Sequence, residues 1–156
     1  MKTEIEGYLD LIVESIQLLG HFTKGLDDEA LAWKPEGFDK SAGTVVLEAC
    51  LDVQEEIGKE VIERGTRVQN PELPVPTRAN LDEAIGAAVA FIQWHKAQIT
   101  EQMLTETRIR GVGNAKEEVT VRELFLLLLR HLGNHIGWVR LLSALWKAQH
   151  GGAEKA

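Results

Sequence analysis

Residues 120–149 hold no proline and place an apolar side chain every three or four positions, a spacing that a long helix gathers onto one face. Thr120-Val121-Arg122-Glu123 has the form of a capping box at the start of this run, and Gly151 and Gly152 end it. A helix of that length with an apolar stripe needs long partners to cover it. The rest of the chain supplies three. One runs from about Lys2 to Lys24 with Ile5, Leu9, Ile12, Ile16 and Leu19 on a face, and Gly25 is its stop signal. A second runs from Ser41 to about Arg64, with Val46, Ala49 or Cys50, Val53, Ile57 and Val61 as its stripe. A third opens on the capping-box pattern Asn80-Leu81-Asp82-Glu83 and reaches about Glu106, with Leu81, Ile85, Ala88, Ile92 and Ile99 facing inward. No segment sustains an alternation of period two. The expected fold is all-α, a four-helix bundle, with residues 1–150 as one domain and 151–156 as a flexible tail.

The connections are long for a bundle. Residues 32–40 contain Pro35 and Gly37, residues 65–79 contain Pro71, Pro74 and Pro76, and residues 107–119 contain Gly111, Gly113 and Asn114, which fits a short hairpin or loop. Long connections in a compact bundle often build a binding site.

Composition narrows the function classes. A chain of 156 residues can bury a real core without disulfides or a structural metal. The net charge of −7, with no dense run of Lys and Arg, argues against a nucleic-acid-binding surface. Cys50 is the single cysteine. Glu48 and Asp52 flank it and no cation stands near it in sequence, so it reads as a small buried hydrophobe rather than a nucleophile. Glu4, Glu6 and Asp10 interrupt any signal-peptide pattern, and the longest apolar run, Leu124 to Leu129, is far short of a membrane span. The expectation is a cytoplasmic protein without membrane partners.

Two histidines break the apolar character of the last segment. At about 100° per residue, Leu124, Leu128, His131, His135, Trp138 and Leu142 share a narrow sector, so both imidazoles belong to the inward stripe one turn apart. Such a pair can place two ring nitrogens on one metal ion, and it can equally be two core histidines bonded to carbonyls. A metal would need at least one further ligand.

Trp33-x-Pro35, then Ser41-Ala42-Gly43-Thr44-Val45-Val46 opening the second helix, then His131-x-x-x-His135 in the fourth, resemble the DinB-like proteins. This is the DNA-damage-inducible superfamily, which includes YfiT-type metal-dependent hydrolases. The resemblance covers nearly the whole chain. It implies a bundle, usually a homodimer, holding a divalent metal (Zn, Ni, Mn or Fe) on three histidines. His131 and His135 match two of them. Members with assigned chemistry use thiol cofactors such as mycothiol or bacillithiol in S-transferase and isomerase reactions, so the resemblance implies a thiol or other small-molecule substrate.

The third ligand departs from the family pattern. It is expected about seven residues after Ser41, where this chain has Glu48. A carboxylate beside two imidazoles is a sound metal site. The helical wheel puts Glu48 with Asp52, Glu55 and Glu56 opposite the apolar stripe, as a solvated acidic face would lie, and a shift of one residue would put Ala49 at the ligand position. His95, on the inward side of the third helix, is the other residue that would complete the site. Two functions follow. One is a divalent-metal-dependent enzyme, a thiol S-transferase or a hydrolase, with His131, His135 and Glu48 as ligands. The other is a metal-free, dimeric binding module of the same fold.

Overall fold

The computed structural model describes residues 1–68, 70–111 and 113–151. Most of the expected tail, residues 152–156, lies outside the described residues. Helix α1 spans Glu4–Phe22, and Thr3 and Glu6 close a capping box at its start. A short helix α2, Asp28–Ala32, follows, capped by the Asp27 carboxylate; no sequence pattern anticipated it. Helix α3 covers Ala42–Glu55, starts where the Ser41 hydroxyl accepts from Thr44 N, and continues without a break into a π-helical segment, Glu56–Ile62. Helix α4, Arg78–His95, is capped by Thr77 rather than by Asn80. The Asn80 amide N–H donates to Thr77 Oγ1, which adds most of a turn at the front. At the other end α4 gives way to 3₁₀ turns over Lys96–Gln98 and Glu101–Thr105 rather than running unbroken to Glu106. Strands β1, Thr107–Arg110, and β2, Glu117–Thr120, form the expected hairpin, paired antiparallel from Thr107↔Thr120 to Arg110↔Glu117. Helix α5, Val121–His150, begins at the Thr120–Glu123 capping box.

The fold is all-α. The four long helices form the bundle, with α1 and α3 each packed against both α4 and α5. One core runs through it, built from Ile12, Ile16 and Leu19 of α1, Val46, Ala49 and Val53 of α3, Leu81, Ala88 and Ile92 of α4, and Leu124, Leu128 and Leu132 of α5. Among the described residues, no helix is long and apolar enough to cross a membrane.

Two details position the site. The inward face of α5 is rotated slightly from the stripe read in the sequence. Leu132 and Val139 take the core, His135 is buried beside them, and His131 and Trp138 come to the rim. Burying Leu and Val while an imidazole and an indole keep partial contact with water is the cheaper arrangement. The front of α3 is held by close approach at Gly43, where a Cβ would meet the Pro76 Cβ at 2.6 Å and the Leu31 carbonyl oxygen at 2.7 Å. Only glycine lets the proline-rich connection and α2 both rest on α3 there.

The π-helical segment has its own support. Arg108 of β1, 5% exposed, donates from Nε to Glu60 O at 3.0 Å and from Nη2 to Val61 O at 2.9 Å, and Nη2 also reaches Glu106 Oε2 at 3.0 Å. A buried guanidinium stabilises a structure only when its donors are used. Here they are spent on carbonyls at the end of the helix, which lack in-helix partners.

Candidate metal centre

Helix α5 brings His131 and His135 to the same side, and α3 crosses opposite them with Asp52. His131 Nε2 lies 2.9 Å from Asp52 Oδ2, His135 Nε2 lies 3.4 Å from the same oxygen, and the two Nε2 atoms are 2.9 Å apart. The rings meet nearly edge to face, at 77° with centroids 4.3 Å apart. Among the described residues these three form the one His/Cys/Asp/Glu group whose ligand atoms converge in this way. Asp52 is held from behind, because its Oδ1 accepts from Arg67 Nη2 in the connection after the π-helix. Arg67 Nε stands 3.7 Å from Glu60 Oε1, so one guanidinium spans two carboxylates of the same helix.

The electrostatics follow from these contacts. Burial by itself would raise the Asp52 carboxyl. Hydrogen bonds from His131 and His135, with the positive charge of Arg67, outweigh burial and hold it well below the usual carboxylate range. Asp52 is therefore ionised at every ordinary pH.

The donor set fits a divalent ion. An ion about 2.0–2.1 Å from three tetrahedral ligands sets their atoms roughly 3.3–3.4 Å apart, close to the observed edges of 2.9 to 3.4 Å. Hydrogen bonds alone cannot satisfy all three edges. If both Nε2 atoms carry protons, these meet head-on across the His131–His135 edge; if only one does, an edge is left without a donor. A cation among the three atoms removes the conflict.

A model of the DinB superfamily matches residues 11–139. The chain belongs to the DinB superfamily. No curated protein matches it. DinB-like proteins generally bind divalent metals, and this DinB chain has a His/Asp group able to hold one.

The other sequence candidates lie outside the triangle of ligand atoms. Glu48, one turn before Asp52, is beside the site, but its Oε2 accepts from Lys40 Nζ at 2.8 Å. The carboxylate that meets both imidazoles is that of Asp52. The acidic side of α3 is not a solvated face as the wheel suggested, because α5 packs across it and leaves the Asp52 side chain only 21% exposed. His95, at the end of α4, shares its Nδ1 with Gln98 Nε2 at 2.8 Å and packs on Phe91, outside the group. Asp52 and Arg67 were not singled out from the sequence. The available signal was the i, i+4, i+8 series Asp52, Glu56, Glu60, which repeats the spacing of the histidine pair.

Two clefts of this DinB chain meet at the triad. One, of ≈ 320 Å³, is walled by Phe38, Val45, Trp138 and Leu142. The other, of ≈ 440 Å³, is walled by Leu51, Asp52, Pro71 and Leu73. Both are bounded by His131, His135 and the Lys40–Glu48 pair. Cys50 takes no part. It is buried, and burial pushes its thiol up to about 12, so it stays protonated.

Proposed function

We propose that this chain is a divalent-metal-dependent enzyme in which His131, His135 and Asp52 hold the ion and the flanking clefts hold the reactants. The observation that carries the reading is the triangle of two Nε2 atoms and one Oδ2, which hydrogen bonds cannot satisfy and a cation can. Three protein ligands facing open clefts suit a catalytic site, whereas a structural site is normally closed by four. Two imidazoles and a carboxylate are compatible with Zn, Mn, Fe or Ni.

A divalent ion there would supply Lewis acidity, acidifying a thiol or water so that its anion forms near neutral pH. The chain's own groups do the rest. Arg67 fixes Asp52 Oδ1, so Oδ2 points at the histidines. Phe38 and Trp138, packed edge to face at 5.5 Å, wall one cleft with carbon and limit water there. Lys40 and Glu48 stand where both clefts meet the triad and can orient a charged reactant by exchanging one partner for another. Two clefts sharing one centre support a two-reactant reaction, thiol S-transfer, over hydrolysis, which needs one organic reactant.

We further propose that residues 1–150 act as one cytoplasmic domain and that the active species is a homodimer. The support for the dimer is the exposure of two large apolar side chains on α5, Leu126 and Leu141.

Elemental analysis of protein purified without a nickel column tests the reading. About one divalent ion per chain is expected. Less than about a tenth of an equivalent, with no uptake of added Zn, Ni or Mn, would turn the conclusion toward a metal-free binding module.

A further inference from the structure

Beside the metal centre, the π-helical segment, the connection after it and the hairpin enclose a cleft of ≈ 430 Å³ that the proposed reaction does not use. Glu60, 3% exposed, lines it, and its Oε2 has no hydrogen-bond partner among the described residues. Arg110 of β1 lines the same cleft, half-buried, and its guanidinium makes no ion pair or hydrogen bond among the described residues. Its charge nevertheless acts on both Glu56 and Glu60. Val68 and Ile109, both exposed, form an apolar rim. A buried carboxylate oxygen without a partner is costly, and with a half-buried, unpaired guanidinium at the same cleft it points to a ligand that serves both residues.

The charges restrict that ligand. A simple cation would be drawn by Glu60 but opposed by Arg67 and Arg110. A simple anion would be drawn by the arginines but opposed by Glu60 and by Glu56 behind it. A molecule carrying both signs meets neither penalty. The volume is that of a small-molecule site, at the lower end of the usual range of about 300–1,000 Å³.

We propose that this cleft binds a small zwitterion, an aliphatic α-amino acid, with its ammonium on Glu60, its carboxylate on Arg110 and its side chain between Val68 and Ile109. The site is separate from the metal centre but shares Arg67 with it, because that guanidinium also holds Asp52. Test substitutions therefore belong at Glu60 and Arg110, not at Arg67.

The experiment is calorimetric titration of the full chain with L-leucine, with 4-methylpentanoate, which lacks the ammonium, and with 3-methylbutylamine, which lacks the carboxylate. Leucine should saturate the protein below roughly 10 mM, and each single-charge analogue should bind at least about tenfold more weakly. Glu60→Gln and Arg110→Met should each weaken leucine by about tenfold or more. No saturation by leucine, an analogue that binds as well as leucine, or a smaller loss in either folded variant would overturn the proposal. If Glu60→Gln fails to fold, Arg110→Met decides alone, since it changes a partly exposed hairpin residue that carries no backbone contact of α3.

Discussion

Asp52 and Glu56 stand four residues apart on one continuous helix, and their surroundings push the two carboxyls in opposite directions. Asp52 has two imidazoles at one carboxylate oxygen and a guanidinium at the other, and it is ionised well below the ordinary range. Glu56 is 2% exposed, its Oε1 has no partner among the described residues, and burial together with the charge of Glu60 raises it to about 7. Both are acids on the same side of that continuous helix, so helix position does not separate them. What separates them is the arrival of α5 and Arg67 over Asp52. The acid with partners forms part of the proposed metal site; the acid without them costs stability whenever it ionises.

Removing the favoured partner set should have the largest effect. Asp52→Asn, and separately His135→Gln, should cost more metal affinity than the ~10–100-fold typical of losing an outer-shell contact. The measurement is competitive titration against a chromophoric chelator. Equal affinity in Asp52→Asn and wild type would place the ion elsewhere.

The disfavoured acid gives a prediction of opposite sign. Because Glu56 is raised from 4.5 to about 7, the folded chain keeps a proton that the unfolded chain has released over that window. Its contribution thus falls as pH rises from the unfolded value to about 7 and is level above it, whereas the Asp52 contribution is lost only on strong acidification. At ~1.4 kcal/mol per unit the rise is worth roughly 3 kcal/mol. Glu56→Gln should therefore stabilise the metal-free protein by up to that amount above neutrality, and the gain should vanish near the acid end of the window. Urea denaturation across pH in a chelating buffer reads it directly, and a gain independent of pH would mean that Glu56 is not the group responsible.

The smallest effect sharpens the comparison at its other end. Glu48, a turn before Asp52, is bound to Lys40 in a partly exposed pair. Glu48→Gln should cost less than ~1 kcal/mol and change metal affinity by less than about threefold. A loss as large as that of Asp52→Asn would move the ligand role to Glu48.

Much of this was legible in the sequence. Helical spacing and capping residues located the long helices, and the i, i+4 spacing placed His131 and His135 together, because both depend only on local geometry. The proposed third ligand depends on which helix lies across α3. A wheel that divides α3 into an apolar and a polar side treats the polar side as solvent, yet α3 touches α2, α4 and α5, and Asp52 faces the last of these. The start of α4 was misplaced because Asn80 and Thr77 both make acceptable caps, and Thr77 gives the longer helix. The π-helical segment had no local signature, since its support comes from Arg108, far along the chain. Arg67 lies in a proline-bounded connection whose path periodicity does not describe.

The central claim is that Asp52, His131 and His135 share one ion. Calorimetric titration of chelator-stripped protein with Zn, Ni and Mn, wild type beside the His131→Gln, His135→Gln double variant, tests it most directly. About one tightly bound equivalent per chain is expected in wild type and none in the variant. Binding of the same stoichiometry and affinity in both, or in neither, would contradict it.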